Sequence, residues 1–343
     1  AMAAAGALDW LPPPDRARFS QQASAYEGAK FAAELHGCRP RRFVVLSQVT
    51  DDLAAPPPAG TKRLRLVRHG EGHHNVFREE EFAAGRTPTA KRGNFAQVPK
   101  DLFDPALTAK GESEAIDSRV DAEAGQDPEL IVTSPLRRAC KTGLLVFARA
   151  VGRGIPVVAN ELAREAYKGL DPSIYDAHRS REELAKEFPG VDFHTHVPAP
   201  LGPGLQADPN WWYYTSPCGV FLEVGEDLAS HTEKAWHLMC WLMDRPERDI
   251  AVASHSLALA ALYHGALAFE DAKGRLQPPS SAQIFRTGEL RTILVAERRA
   301  PVRPWWAWRP SGLATISAFT AGGFFAGAAA AAFLGMLRSR SKL

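Results

Sequence analysis

The stretch LRLVRHGEGHHN, residues 64–75, joins a short apolar run to a turn that contains two glycines and three histidines. A run such as LRLV has the length of a buried strand, and its polar residues begin where the apolar pattern ends. Gly70 allows the backbone a tight approach directly after Arg68 and His69. The stretch therefore predicts a strand that delivers a cation and an imidazole to one edge of a sheet.

Further short apolar runs alternate with helical patterns along the chain. The runs are ELIVTS (129–134), IPVVA (155–159), DIAVASHS (249–256) and LRTILVAE (290–297), and helical patterns cover 137–151 and 257–267. This alternation predicts an α/β fold, a three-layer α/β/α arrangement with a mainly parallel central sheet. Parallel sheets hold their sites at the carboxyl ends of strands. RHG, TSPLRR and SHS all follow such strands, so we expect them to converge.

The residue types at these strand ends suit phosphate chemistry. A neutral imidazole nitrogen of His69 can attack phosphorus, and Arg68 can neutralise phosphate oxygens and developing charge. Asn75 can donate a hydrogen bond to the same oxygens. Arg137 and Arg138 open a helix, whose N-terminal amides favour anions. We expect one of these two arginines to face the phosphate and the other to face outward.

Two further candidates come from later parts of the chain. His255 stands at a strand end, where it is either a satisfied structural residue or a second imidazole that orients the phosphate. Glu165 follows the IPVVA run, and it is either a surface residue beside Arg164 or a general acid for the departing oxygen. The sequence pattern at each position is compatible with both readings.

Together these strings resemble the motifs of the histidine phosphatase superfamily, in its phosphoglycerate-mutase-like form, over about residues 62–299. The motifs are R-H-G, S-x-x-x-R-A, an acidic residue after the next strand and a second histidine, and they occur in the family's order. The segment DPALTAKGESEA (104–115) is similar to the family's L-T-x-x-G-x-x-Q-A pattern. This chain departs from the family by having Glu114 in place of Gln and Ser256 in place of the Gly that often follows the second histidine.

A closer resemblance is to an uncharacterised plant and fungal branch of mutase-like proteins. LAREAYKGLDPSIYDAHRS (162–180), followed by FPGVDF (188–193), looks like that branch's R-E, D-x-x-R-S and F-P-x-V-D-F pattern. Glycolytic mutases have a different segment after the catalytic glutamate. The resemblance therefore favours a phosphatase over a mutase.

The resemblance implies a role for each site residue. His69 attacks phosphorus to form a phosphohistidine, His255 orients the phosphoryl group, and Glu165 protonates the departing oxygen and then activates water. We assign phosphate binding to Arg68, Asn75, Arg138 and Ser256. Because the arginines and His255 supply positive charge, we expect no cofactor and no metal. A metal site on His69, His73 and His74 is the alternative reading of the same stretch.

These assignments predict a histidine acid-type phosphatase that hydrolyses a phosphomonoester. Two alternatives remain open: a phosphoglycerate-type phosphomutase, and a catalytically inactive membrane-anchored scaffold on the same fold. The expected partner is a small phosphorylated metabolite or a phosphopeptide. The net charge of +2 indicates no nucleic-acid partner. The four widely spaced cysteines indicate neither a disulfide framework nor a zinc site.

The ends of the chain differ from the catalytic region at 61–300. Residues 1–60 read as an N-terminal extension that closes with the linker AAPPPAG, although 43–49 has the pattern of a strand. Within the catalytic region, 166–228 reads as an irregular insertion. An aromatic and basic segment (301–312) precedes a charge-free run (313–337) and a basic tail (338–343).

The charge-free run is long enough for a transmembrane helix, which needs about 20 residues. With no secretory signal visible at the start, it predicts a single-pass C-terminal tail anchor that leaves the catalytic domain in the cytosol. A buried or surface Ala-rich helix is the alternative. The basic tail fits mitochondrial and peroxisomal anchors, and the terminal SKL resembles a peroxisomal address, so the organelle stays open.

Overall fold

The computed structural model describes residues 41–48, 54–85, 99–165, 174–197, 228–270, 273, 276–277 and 285–299. The chain divides into two units, Ala1–Val302 and Arg303–Leu343, and the second lies outside the described residues. Residues 1–40 also lie outside them.

One nine-stranded sheet forms the centre of the described fold. Its strands are β1 (Arg41–Gln48), β2 (Thr61–Arg68), β3 (Leu130–Thr133), β4 (Val157–Asn160), β5 (Val191–His196), β6 (Asp249–Ser254), β7 (Leu267–Glu270), β8 (Leu276–Gln277) and β9 (Leu290–Arg299). The order across the sheet is β5-β4-β3-β6-β2-β9-β1-β7-β8. The block from β5 to β2 is parallel, whereas β9 runs antiparallel to both of its neighbours. The mixed α/β fold with a mainly parallel sheet is thus confirmed.

Helices cover both faces of this sheet. They are α1 (His73–Ala83), α2 (Ala109–Ala122), α3 (Arg137–Val146), α4 (Ala148–Gly152), α5 (Arg181–Glu187), α6 (Leu228–Asp244) and α7 (Ser256–Ala261), which continues into a π-helical turn (Leu262–Ala266). Alternate strand residues enter two separate cores, as the period of two in a strand requires. Leu64 and Leu66 of β2 pack with α6 and α7, whereas Val67 packs with α2 and α3. The result is the expected three-layer arrangement.

Strand β1 corrects the domain boundary drawn at residue 61. It pairs antiparallel with β9, for example Phe43 with Glu297, and parallel with β7, for example Phe43 with Leu267. Phe43 is fully buried in the core. The sheet therefore includes residues that the sequence pattern assigned to the N-terminal extension, because the partners of β1 lie more than 200 residues further along the chain.

The prediction that 166–228 is an irregular insertion is wrong for part of this range, which contains a helix and a strand. Helix α5 begins at a capping box in which Ser180 and Glu183 exchange hydrogen bonds with each other's backbone. Strand β5 pairs parallel with β4 and buries Val191 and Phe193. Residues 198–227 lie outside the described part of the chain.

The predicted transmembrane segment, 313–337, lies outside the described residues. Among the helices that the structure describes, none combines the length and the apolar character needed to cross a bilayer. The longest, α6, has 17 residues.

Candidate active site

The three predicted polar clusters meet at the carboxyl edge of the sheet. Strands β2, β6 and β3 are adjacent and parallel, so their ends lie side by side. The backbone amide of His69 donates to the Ser254 carbonyl at 2.9 Å, and the amide of Ser134 donates to the Ala253 carbonyl at 2.9 Å. Backbone pairing beyond the strand ends thus fixes the spacing of the RHG, TSPLRR and SHS segments.

His69 is held with one ring nitrogen already engaged. Its side chain is 2% exposed, and Nδ1 lies 2.7 Å from the Gly70 carbonyl oxygen. Because a carbonyl only accepts, Nδ1 carries the proton and Nε2 keeps its lone pair. Burial, with the charges of Arg138 and Arg68, holds the pKa of His69 well below its ordinary value. The ring is therefore a neutral imidazole with a nucleophilic nitrogen at Nε2.

Close backbone packing explains why this turn needs glycine. A Cβ on Gly70 would collide with the Gly111 carbonyl oxygen, and a Cβ on Gly111 would collide with the backbone of Glu71. The first turn of α2 therefore lies directly against the RHG turn. Glu114, which replaces the family's Gln, accepts a hydrogen bond from the Glu71 amide at 2.8 Å. A carboxylate oxygen fills the acceptor role that an amide oxygen would have.

The two arginines of the TSPLRR segment divide as expected. Arg138 is 1% exposed and faces inward, where its charge acts on His69. It donates to the Tyr175 carbonyl at 2.5 Å and to the Asp176 carboxylate at 2.9 Å. Arg137 is only partly buried and forms a bidentate pair with Glu187. Arg138 is thus the inward cation of the pair.

His255 lies beside His69, with ring centroids 5.0 Å apart. Its Nε2 lies 2.8 Å from the Ser134 hydroxyl, and burial together with Arg138 lowers the pKa of His255 well below its ordinary value. Nδ1 of His255 is buried with no hydrogen-bond partner among the described residues. If the Ser134 hydroxyl donates to Nε2, Nδ1 carries a proton that a phosphate oxygen can accept.

Glu165 is bound to the start of α7, directly after His255. Its carboxylate accepts hydrogen bonds from the Ser256 hydroxyl at 3.2 Å, the Leu257 amide at 3.4 Å and the Ala258 amide at 3.1 Å. The side chain is 4% exposed, which excludes the surface reading. These donors fix the orientation of the carboxylate at the start of α7.

Arg68 and Asn75 take up local contacts at the same edge. Arg68 is partly buried and donates from Nη1 to the Phe285 carbonyl at 2.7 Å. The side-chain oxygen of Asn75 accepts from the Gly72 amide at 2.9 Å and so caps α1. The side-chain oxygen of Asn75 is therefore engaged in the helix cap. Its amide nitrogen is the group that can donate a hydrogen bond to a phosphate.

Sequence reasoning missed the ionic cluster behind the site. Glu161, Arg164 and His178 are all buried, with Arg164 Nε 2.6 Å and His178 Nε2 3.2 Å from the Glu161 carboxylate. Arg164 also donates to the Glu165 carbonyl at 3.1 Å. The only sequence signal was the resemblance of 162–180 to the plant and fungal pattern. Nothing in a single sequence shows that these charges are buried together.

The geometry gives little support to the alternative in which His69, His73 and His74 bind a metal ion. His73 is exposed, whereas His69 and His74 are buried with ring centroids 5.5 Å apart. No group of three or more His, Cys, Asp or Glu side chains among the described residues is arranged to hold a metal ion. Cys140 is buried, and burial raises the pKa of its thiol, so it is unsuited to nucleophilic or ligand roles.

Comparisons with known proteins find two curated relatives, each matched over most of its length. No protein-family model matches the chain. It is 26% identical over 268 residues to "Phosphoglycerate mutase-like protein 1" of Arabidopsis thaliana, covering 69% of this chain and 82% of the relative. It is 25% identical over 267 residues to "Phosphoglycerate mutase-like protein" of the same plant, covering 69% and 85%.

Among solved structures, a mycobacterial glucosyl-3-phosphoglycerate phosphatase is 20% identical, with a TM-score of 0.33 over 59% of this chain and 77% of that chain. A likeness of this extent carries no argument about function. The curated relatives confirm the resemblance to phosphoglycerate-mutase-like proteins of the histidine phosphatase superfamily that the motifs predicted. Both relatives are plant mutase-like proteins. The segment after Glu165 is similar to the sequence pattern of the same kind of protein.

Proposed function

We propose that this protein is a phosphatase of the histidine acid type, which hydrolyses a phosphomonoester through a phosphohistidine on Nε2 of His69. The observation that carries the proposal is the 2.7 Å contact between His69 Nδ1 and the Gly70 carbonyl. It fixes the tautomer whose Nε2 is unprotonated, in a ring that its buried, cationic surroundings keep neutral. Such a nitrogen is ready to attack phosphorus without first losing a proton.

In the first step, a bond forms between His69 Nε2 and phosphorus while the bond from phosphorus to the leaving oxygen breaks. The phosphoryl oxygens receive positive charge and hydrogen bonds from Arg138 and Arg68. They receive a further hydrogen bond from the Nδ1–H of His255. Glu165 acts as the general acid and transfers a proton to the leaving oxygen. In the second step it takes a proton from water, which attacks phosphorus and releases His69 and inorganic phosphate.

The names of the relatives favour a second candidate, a phosphomutase that returns the phosphoryl group to another hydroxyl of the same molecule. Both reactions share the first step and differ only in the acceptor. Analysis of the products separates them, because a phosphatase releases free phosphate and a mutase yields an isomerised phosphoester. A panel of phosphorylated metabolites and phosphopeptides would define the substrate class.

The proposal is tested by His69→Ala, with His73→Ala as the matched control on the exposed side of the same turn. We expect His69→Ala to lose several orders of magnitude in turnover of an aryl phosphate, since a covalent nucleophile is removed. We also expect acid-labile phosphate on wild-type protein and on His73→Ala but not on His69→Ala. Activity within tenfold of wild type, in a variant that still unfolds cooperatively, would sink the assignment.

Membrane attachment through 313–337 is a separate proposal that rests on the sequence pattern alone. The run is uncharged, and tryptophans precede it while basic residues follow it, as at the two interfaces of a bilayer. Alkaline carbonate extraction of cells that express the full chain tests it. Retention in the membrane pellet is expected, and release into the supernatant would favour an Ala-rich helix outside the bilayer.

A further inference from the structure

A third buried imidazole, His74, lies at the candidate site but belongs to none of the motifs that identify it. Its side chain is 4% exposed, and its ring centroid is 5.5 Å from that of His69 and 5.5 Å from that of Tyr175. The Tyr175 carbonyl is the group that holds Arg138. His74 is therefore adjacent both to the proposed nucleophile and to the segment that positions the phosphate-binding arginine.

The hydrogen bonding of His74 differs from that of His69 and resembles that of His255, whose Nδ1 is also buried with no partner among the described residues. His69 has the Gly70 carbonyl at Nδ1, and His255 has the Ser134 hydroxyl at Nε2. Nδ1 of His74 is buried with no hydrogen-bond partner among the described residues. A buried polar atom without a partner is uncommon in folded proteins, and it calls for an explanation beyond packing.

The local backbone is shaped to hold this ring. Gly72 caps α1, and a Cβ at that position would lie 2.7 Å from His74 Nδ1, so the ring uses space that a larger residue would fill. The hydrogen bond from the Gly72 amide to Asn75 fixes the first turn of the helix. His73, on the same turn, is exposed. The ring orientation thus follows from the cap and is not a loose surface rotamer.

The charges around His74 favour an anion as its partner. Burial, together with the positive charges of Arg138, Arg78 and Arg68, lowers the pKa of His74 well below its ordinary value. A neutral imidazole has one N–H to donate. Because the neighbouring groups are cations or neutral imidazoles, an N–H at this point is matched by a phosphate oxygen rather than by a protein acceptor.

We propose that His74 is a further phosphate-binding residue, whose imidazole donates an N–H to an oxygen of the phosphomonoester bound at His69. The inference rests on the proposed function, since it takes the site to bind a phosphoryl group. It adds a donor from the first turn of α1 to the one that His255 supplies directly after β6.

The test compares His74→Phe, His74→Gln and the control His73→Gln in the full chain. Phenylalanine keeps an aromatic ring against Tyr175 but has no N–H, whereas glutamine loses the ring and keeps an N–H donor. Isothermal titration with inorganic phosphate measures affinity directly, without any need for turnover. Loss of a hydrogen bond to a charged group corresponds to about 10- to 100-fold weaker binding.

We expect His74→Phe to bind phosphate about 10- to 100-fold more weakly than wild type, with His74→Gln in between and His73→Gln unchanged. A packing role predicts the opposite order, with Phe close to wild type and Gln worse, and that result would overturn the proposal. An equal loss in His73→Gln would also overturn it. If the wild type binds phosphate but forms no phosphohistidine, the proposed function fails while the inference on His74 stands. If the wild type binds no phosphate, both fail.

Discussion

The imidazole of His178 lies 3.2 Å from the carboxylate of Glu161, and both side chains are almost completely buried behind the candidate site. The other ring nitrogen, Nδ1, donates to the Arg179 carbonyl at 2.6 Å. Since both nitrogens face acceptors, the ring is held as an imidazolium. The pair connects the segment that holds Arg138 to the turn that carries Glu165.

This pair predicts a specific dependence of stability on pH. Burial opposes the charge on His178, but Glu161 outweighs it and raises the pKa of His178 above the ordinary 6.5. Its contribution to folding is therefore full below pH 6.5 and is lost as the pH rises through the raised pKa. Burial likewise opposes the charge on Glu161, but His178 and Arg164 lower the pKa of Glu161 to about 2. The contribution of Glu161 to folding is full above its ordinary pKa of 4.5 and is lost as the pH falls towards 2.

Urea unfolding of wild type and His178→Gln at a series of pH values measures this effect. Glutamine keeps a donor for Glu161 but does not titrate. We expect the stability difference between the two proteins to be largest between pH 4.5 and pH 6.5, where both contributions are full, and to shrink as the medium becomes alkaline. His194→Gln, on an exposed position of β5, serves as the control. A difference that stays constant across the alkaline range would contradict the imidazolium assignment.

Glu165→Gln should separate substrates by their leaving groups. If Glu165 protonates the departing oxygen, an alkyl phosphate loses about 10²–10⁴-fold in turnover, whereas an activated aryl phosphate loses much less because its leaving group needs little protonation. Steady-state kinetics on both substrates provide the measurement, with Asp117→Asn on the exposed face of α2 as the control. Equal losses on both substrates would assign Glu165 another role.

Gly111→Ala should disturb the site from a distance in sequence. The added Cβ would collide with backbone atoms of Glu71, which cannot rotate away as a side chain would. We expect a loss of about 1–3 kcal/mol in the free energy of unfolding, together with weaker phosphate binding, because the RHG turn must shift. Gly190→Ala is the matched control, since a Cβ there meets no atom within 4 Å. Similar stabilities for the two variants would show that the α2 contact is not tight.

Chelation should leave turnover intact. The proposed reaction draws its positive charge from Arg68 and Arg138 and a further hydrogen-bond donor from His255. We therefore expect exhaustive treatment with EDTA to change the rate of aryl phosphate hydrolysis by less than a factor of about two, a smaller effect than the loss of one hydrogen bond would have. Apo protein is then supplemented with single divalent ions as the control. Loss of activity that one ion restores would instead favour metal binding by the histidine-rich turn.

The sequence by itself determined the strands that carry the site and the identity of its main residues. LRLV, ELIVTS, IPVVA and DIAVAS are local apolar runs, and β2, β3, β4 and β6 lie where those runs lie. Because parallel strands end at one edge, the pattern also predicted that His69 and His255 would meet, and their rings lie 5.0 Å apart. Both conclusions depend on local periodicity, which a single chain displays directly.

Only the tertiary structure decided which distant segments pair and which charges become buried. Strand β1 enters the sheet by pairing with β9, about 250 positions along the chain, and no local pattern encodes that partner. The burial of His74, and of Glu161 against His178, likewise depends on segments brought together by folding. In the sequence alone, every imidazole has the same intrinsic pKa. Packing sets the desolvation and the neighbouring charges of each ring, and these make His178 an imidazolium while His69, His74 and His255 are neutral.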